Sequence, residues 1–274
     1  MLPASVADDP HAAVRRTSAV RFLYGLNPLA KMAAVLPALV LLVFVRDLAT
    51  PVAFLALSYL VLLVGVSPSI RATVLLALAI PGAIAVLGFG FALWTDAALV
   101  ADTPPVLQIG AWTLYSGALE IGLATGLRLA AILALSLIPG LSTTGPDLVR
   151  ACVQQLRVPY RIGYTALAAF RFVPRFGHEL EIIRQAHRVR GAHRGRGPIA
   201  SLRRWASYLV PLLAGAIRHA ERVALAMDSR AFGAYPDRTE RHLVPFRPRD
   251  VVFIAAFWLA SAALFALFFP WTLS

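Results

Sequence analysis

The chain has 274 residues, of which 59% are hydrophobic and only 15% are charged. Soluble domains are about 45–50% apolar and about a quarter charged, so this composition argues against a soluble protein and indicates a membrane protein. The formal net charge is +12. A single cysteine, Cys152, excludes a disulfide framework and a cysteine-based zinc cluster.

Five apolar runs predict five membrane-spanning helices. They cover residues 32–45, 51–66, 73–94, 119–141 and 251–271. The third is long enough to cross about 30 Å of hydrocarbon as a helix. The first run ends at Arg46 without a small-residue cleavage signal, which predicts a retained span and no signal peptide.

The short connections predict the orientation of these spans. The connection over residues 95–118 contains two aspartates and neither Lys nor Arg, whereas basic residues precede span one and separate spans two and three: Arg15, Arg16, Arg21 and Arg71. Basic connections stay in the cytoplasm. We therefore expect a multi-pass protein of the cell membrane with a cytoplasmic N-terminus and an external C-terminus.

Residues 143–250 carry almost all of the excess charge, with 19 Arg against 8 Asp or Glu. Capping residues, prolines and glycines predict helices over residues 147–155, 162–190 and 202–232, the second broken at Pro174, and no strand pattern is visible anywhere. Because the arginines alternate with apolar helical stretches, nucleic-acid binding fits poorly. The prediction is an all-α integral membrane protein: residues 1–142 hold four spans, residues 143–250 form a helical cytoplasmic domain, and residues 251–274 form the last span.

Two arginines lie at the predicted ends of the two long cytoplasmic helices. Arg190 is followed by Gly191, and Arg230 has Gly233 shortly after it. Either arginine alone is explained by helix termination, because Arg suits the negative end of the helix dipole and Gly adopts a left-handed cap. Their occurrence at the ends of two similar helices is not explained in that way.

The chain resembles the transmembrane T components of energy-coupling-factor transporters over nearly its whole length. The resemblance rests on Leu26-Asn27-Pro28 before span one and on the order and spacing of the segments after span four, which are residues 143–148, 171–174, 182–191 and 224–233. The family's signature is two Ala-Arg-Gly motifs, one near the end of each coupling helix. This chain has Val189-Arg190-Gly191 and Ser229-Arg230-Ala231, so both arginines are kept and the flanking small residues are kept only in part.

The resemblance implies a non-catalytic coupling subunit whose two long helices cross on the cytoplasmic face. Each signature arginine would enter a groove on one of two ABC-type ATPase subunits, which bind the ATP and Mg²⁺, and a small membrane S component would bind the substrate. A guanidinium suits this role because its fork of donors matches a carboxylate. The substrate would be a vitamin, a cobalt or nickel ion or a related micronutrient, and this chain does not identify it.

Two other classes of protein fit the sequence less well. An ordinary ABC-importer permease presents a short Glu-Ala-Ala loop helix, which this sequence lacks. A membrane-embedded enzyme needs converging ionisable groups, and the spans contain almost none besides Arg128. The sole lysine, Lys31, has no phosphate-binding glycine frame, and the histidines lack metal-ligand spacing. We expect no catalytic residue, no metal site and no cofactor in this chain.

Two further features carry predictions. Arg128 lies inside span four, where a charge costs about 2.5–3.5 kcal/mol, so we expect a structural role, paired with a carboxylate or carbonyls of neighbouring helices. Every third residue along part of the first long cytoplasmic helix contributes to an apolar face among arginines. This face is either a helix core or an interface with the S component or the bilayer, and it comprises Tyr164, Leu167, Phe170, Val173 and Phe176.

Overall fold

The computed structural model describes residues 22–67, 69–109, 112–191, 197–236 and 238–268. The chain divides into two compact units, one formed by Met1–Thr144 with Pro245–Ser274 and the other by Gly145–Val244. We call the first the membrane unit and the second the arginine-rich unit. Arg15, Arg16, Arg21 and Trp271, on which parts of the topology prediction rest, lie outside the described residues.

In the described residues of the membrane unit there are five α-helices and one short hairpin. After a 3-10 turn at Phe22–Gly25, the elements in chain order are α1 (Pro28–Phe44), α2 (Ala49–Gly65), α3 (Ile70–Trp94), β1 (Pro105–Ile109), β2 (Trp112–Tyr115), α4 (Ser116–Ser142) and α8 (Pro248–Phe268). The helical prediction is confirmed for all five apolar runs. Helices α3, α4 and α8 are long and apolar enough to cross a membrane. Helices α1 and α2 have 17 residues each, so five spans remain a prediction.

The start of α1 is fixed by side-chain hydrogen bonds. Asn27 caps it, its Oδ1 accepting the Leu29 N–H at 3.0 Å, and Pro28 occupies the first turn, where its missing N–H costs nothing. The buried carboxylate of Asp250 accepts the Asn27 N–H at 2.8 Å and the Arg247 N–H at 2.6 Å. Asp250 therefore joins the starts of α1 and α8.

The core of the membrane unit lies among α1, α2, α4 and α8. Leu42, Phe54, Leu135 and Ile138 are fully buried there. Lys31 is also buried and donates to the Ser142 carbonyl at 2.7 Å. Because Ser142 ends α4, the ammonium satisfies one of the carbonyls left free at a helix C-terminus and complements the helix dipole.

Helices α3 and α4 pack closely through glycine. A Cβ at Gly122 would lie 2.2 Å from the Gly88 carbonyl oxygen, and one at Gly126 would lie 2.9 Å from both the Gly88 nitrogen and the Ile84 carbonyl oxygen. Small residues four apart are the pattern that brings membrane helices into backbone contact. The spacing of Gly122 and Gly126 is visible in the sequence, but the apolar runs by themselves do not predict which helix lies against it.

The expectation that no strand is present was wrong. Strands β1 and β2 pair antiparallel, with Leu107 opposite Leu114 and an irregularity between Pro105 and Leu107. Both strands are rich in β-branched and aromatic residues on either side of Gly110, a composition that favours a hairpin. The strand signal is weak because the segment is short and lies between two long apolar helices.

The arginine-rich unit contains α5 (Gly145–Gln155), α6 (Tyr160–Val189) and α7 (Pro198–Asp228). The predicted break at Pro174 was wrong, because α6 runs through this residue without interruption. A proline removes one amide donor, and since Pro174 is exposed, water can satisfy the carbonyl that loses its partner. Helix α7 likewise contains Pro211.

Candidate functional site

The two long helices of the arginine-rich unit pack antiparallel. Phe172 of α6 stacks on His219 of α7 with ring centroids 4.1 Å apart, and His187 meets Tyr208 edge to face at 5.3 Å. Residues later in α6 thus contact residues earlier in α7. The C-terminal ends of α6 and α7, which carry the two signature triplets, therefore lie at opposite ends of the pair.

The first triplet ends α6. Arg190 is the C-cap residue, and its N–H donates to the Ala186 carbonyl at 3.1 Å. Gly191 has a φ of +63°, in the left-handed region, and its N–H donates to the Arg188 carbonyl at 3.1 Å. The predicted left-handed glycine cap is confirmed here.

The second triplet ends α7 with the same backbone form. Ala231 has a φ of +55° and its N–H donates to the Asp228 carbonyl at 2.9 Å, while the Phe232 N–H donates to the Met227 carbonyl at 3.0 Å. This pair of bonds is the Schellman motif. The expectation of a glycine cap was wrong for this helix, because the left-handed residue is Ala231. Gly233 is two residues further on and also has a positive φ, +91°.

Both triplets thus place an arginine immediately before a left-handed residue. This conformation explains why glycine suits the third position of the motif, since only glycine adopts it without a steric cost. The alanine at position 231 keeps the conformation and bears the strain.

Both signature arginines are exposed at these helix ends. Within the described part of the chain, neither guanidinium has a carboxylate partner, whereas Arg184 and Arg188 of α6 pair with Glu181. Val189, just before Arg190, is 89% exposed. Each helix end therefore presents an arginine that no carboxylate of the described residues pairs with.

The segment that follows α7 is bound back onto α5 and α6. We call residues 232–244, of which 237 is not described, the return segment. The Tyr160 hydroxyl donates to the Tyr235 carbonyl at 2.6 Å, and Arg161 donates to the Gly233 carbonyl. Gln154 and Gln155 of α5 donate to the His242 and Val244 carbonyls. These bonds hold the chain just after Arg230 against α5 and the first turns of α6.

Tyr164 takes part in the same network. Its hydroxyl donates to Glu240, and the Arg238 guanidinium lies 4.1 Å from its ring centroid. Burial raises the pKa of Tyr164, and the hydrogen bond to Glu240 and the charge of that carboxylate raise it further. Tyr164 therefore remains a protonated donor at neutral pH.

The other residues of the predicted apolar face differ in exposure. Phe170 is 45% exposed and Val173 is 59% exposed, whereas Leu167 and Phe176 are half-buried. Phe176 packs edge to face on Phe172 at 4.5 Å. Phe170 and Val173 are thus the members open to a partner, and Tyr164 faces the return segment. An interface with the S component or the bilayer stays a prediction.

Arg128 makes its contacts inside the membrane unit. Its Nη1 donates to the Val43 carbonyl at 3.3 Å and its Nη2 to the Thr125 hydroxyl at 3.1 Å. Val43 lies in the last turn of α1, where carbonyls lack helical partners. Arg128 therefore links α4 to the C-terminal end of α1.

The described ranges contain no candidate metal site. The His, Cys, Asp and Glu side chains there form no group of three that could hold a metal ion. What the geometry provides is a pair of exposed cations at the two ends of an antiparallel helix pair.

The fold and these helix ends define a helical membrane protein that carries a second, arginine-rich helical unit. The chain belongs to the CbiQ family, described as cobalt transport protein, whose family model matches residues 19–241. The predicted resemblance is confirmed by relatives named energy-coupling factor transporter transmembrane protein EcfT. The one from Bacillus subtilis is 26% identical over 174 residues, 61% of this chain and 66% of the relative. The one from Staphylococcus aureus is 31% identical over 160 residues, 56% of this chain and 59% of the relative.

A third relative differs in its name. It is a putative ABC transporter ATP-binding protein from Bifidobacterium longum, 28% identical over 178 residues, which are 62% of this chain and 23% of that protein. The matched regions span less than two thirds of the length of each of these three relatives.

Proposed function

We propose that this chain is the coupling subunit of an energy-coupling-factor importer for a vitamin, a cobalt or nickel ion or a related micronutrient. It binds two ABC-type ATPase subunits through Arg190 and Arg230 and transmits their motion to a membrane S component that binds the substrate. ATP and Mg²⁺ are bound by the ATPase subunits. The observation that carries the proposal is the shared form of the two helix ends, each an exposed arginine followed by a left-handed residue.

The separation of the two arginines supports two docking sites. Since His187 lies level with Tyr208, Arg190 lies level with about position 205 of α7, some 25 residues before Arg230. At 1.5 Å per residue this is about 37 Å along the helix, more than the diameter of a small domain. One groove cannot take both arginines, whereas two ATPase subunits can each take one.

The relative from Bifidobacterium longum supports the link to ATPases. A region similar to this chain makes up 23% of a protein whose name is that of an ABC transporter ATP-binding protein. An exposed guanidinium at a helix end also suits a carboxylate-lined groove, because its planar fork donates two parallel hydrogen bonds.

The orientation belongs to the same proposal, because ATPases require the arginine-rich unit to be cytoplasmic. In a Cys152→Ala background, a membrane-impermeant thiol reagent added to intact cells should label Ala101→Cys and not Glu221→Cys. Both positions are exposed in the structure. Labelling of Glu221→Cys alone would place the arginine-rich unit outside and remove the ATPase-docking proposal.

The test of docking is a charge reversal at each arginine. Arg190→Glu and Arg230→Glu should each weaken recovery of the ATPases in pull-downs and lower uptake, and the double variant should lose both. Removing one partner of a desolvated charge pair costs about 2–5 kcal/mol. The matched control is Arg218→Glu, an exposed arginine in the middle of α7, which should assemble normally. Normal assembly and uptake by both helix-end variants would show that these arginines only cap their helices.

A further inference from the structure

The connection between α3 and α4 exposes large apolar side chains. Trp94, the last residue of α3, is 90% exposed, and Leu99 is 78% exposed. Val106 and Leu107 of β1 are 57% and 47% exposed. Four large apolar side chains exposed in one short connection form the kind of surface that marks a contact with a membrane or a partner.

The lengths of the flanking helices determine the depth of this connection. Helix α3 has 25 residues and α4 has 27, so they rise about 37 Å and about 40 Å. A bilayer's hydrocarbon core is about 30 Å thick. A helix of either length that crosses the core upright and centred extends only a few ångströms beyond it at each end, a position that would bring the chain between α3 and α4 close to the boundary between headgroups and acyl chains.

The connection is held at that depth by its own small core. Val100 and Leu114 are buried against Ala92 of α3 and Ala118 of α4. The Gly117 N–H, in the first turn of α4, also donates to the Thr103 hydroxyl at 3.2 Å. The hairpin is thus packed onto the ends of both helices.

The charges of the connection agree with a position at the surface of a bilayer. Its only charged residues are Asp96 and Asp102, and both are exposed. The apolar surface is continuous with the exposed face of α3, where Phe91 and Leu93 are 44% and 46% exposed. Trp is enriched at membrane interfaces because its ring is apolar and its N–H is polar.

We propose that the connection, of which residues 94–109 and 112–115 are described, is an interfacial membrane anchor, in which Trp94, Leu99, Val106 and Leu107 insert at the boundary between headgroups and acyl chains. The occupant of this surface is the lipid bilayer and not a protein partner. The hairpin thereby holds α3 and α4 at one depth and one tilt. This inference is independent of the docking role of the two arginines and of which side of the membrane the connection occupies.

The test is a depth measurement on the full-length chain in phosphatidylcholine vesicles. In a Cys152→Ala background, an environment-sensitive fluorophore is attached to Leu99→Cys, to Val106→Cys or to the control Asp102→Cys. For each probe, quenching is measured separately with three quenchers. These are iodide in the water, lipid brominated near the headgroup end of its acyl chains, and lipid brominated near their methyl end. The Trp fluorescence of each variant before labelling is compared with that of the parent chain, and it reports whether the variant is folded.

The probes at Leu99 and Val106 should be quenched several-fold more by bromine near the headgroups than by iodide, and their emission should be blue-shifted. The probe at Asp102 should show the reverse. Strong iodide quenching at all three positions would place the connection in water and overturn the proposal. Protection from all quenchers would show that a protein surface covers it, and strongest quenching by methyl-end bromine would show deep insertion. Either result also overturns the proposal.

Discussion

Replacing Gly122 by alanine should destabilise the membrane unit. A Cβ at this position would lie 2.2 Å from the Gly88 carbonyl oxygen and 2.8 Å from the Ala92 nitrogen. Ordinary contact begins at 3.4 Å, so α3 and α4 must move apart by roughly 1 Å. Both nearby atoms are backbone atoms, which no rotamer change can move away.

The magnitude follows from two opposing effects. Alanine is favoured over glycine inside a helix by about 0.8–1 kcal/mol, whereas overpacking a close-packed contact costs about 1–3 kcal/mol. Separation of the two helices also loses contacts along the rest of the α3–α4 interface. We expect a net loss of about 1–2 kcal/mol for Gly122→Ala.

The control is Gly90→Ala in α3, because a Cβ at Gly90 would meet nothing within 4 Å. This variant keeps the gain in helix propensity without the clash, so it should be as stable as the parent chain or slightly more stable. The measurement is the midpoint temperature at which the detergent-solubilised protein loses its monodisperse size-exclusion peak. Equal midpoints for the two variants would refute the backbone contact between α3 and α4.

Three further predictions concern other parts of the chain. Ala231→Gly should stabilise the arginine-rich unit by about 1 kcal/mol, because it removes the cost of a left-handed alanine, while pull-down of the ATPases stays intact; a lower melting temperature would contradict the Schellman cap. Asp250→Ala should lower the melting temperature, since two N–H groups lose a buried acceptor at about 1–3 kcal/mol each, whereas the exposed Asp96→Ala should change it little. Tyr164→Phe should cost about 1 kcal/mol at pH 7 by removing the bond to Glu240. The pKa of Tyr164 is raised above its ordinary value of 10.0. The stabilisation by the Tyr164–Glu240 hydrogen bond is therefore complete below pH 10.0 and is lost as the pH rises through the raised pKa. Circular-dichroism melts of both chains should therefore converge at high pH, and a constant difference would contradict the assignment.

The sequence predicted the helices well because their signals are local and long. The observed starts of α1 and α3 lie a few residues before the predicted apolar runs, because the side chains of Asn27 and Ser69 cap the first turn of each helix. The two arginines were identified from their positions at predicted helix ends and from the resemblance to the family, and only Arg190 precedes a residue with a distinct backbone preference, Gly191. The roles of these residues in binding ATPases are inferred from the family and stay predictions.

What the sequence did not predict depends on contacts between distant segments. Lys31 donates a hydrogen bond to the Ser142 carbonyl, 111 positions away in the chain. Tyr164 donates a hydrogen bond to Glu240, 76 positions away. No local pattern identifies such pairs. The left-handed Ala231 was missed for another reason, since its conformation is imposed by the end of α7 against the preference of its own side chain.

The antiparallel packing of α6 and α7 also makes the two arginines mechanically unequal. The two helices are in contact at Glu179 and Gly215, where a Cβ added to Gly215 would lie 3.1 Å from a carboxylate oxygen of Glu179. From there Arg190 is 11 residues away and Arg230 is 15, which correspond to about 17 Å and about 22 Å. For a rotation about this contact, the longer arm gives Arg230 about a third more travel than Arg190. Under the proposed docking, an ATPase subunit bound at Arg230 would act on the helix pair with a longer lever arm than one bound at Arg190.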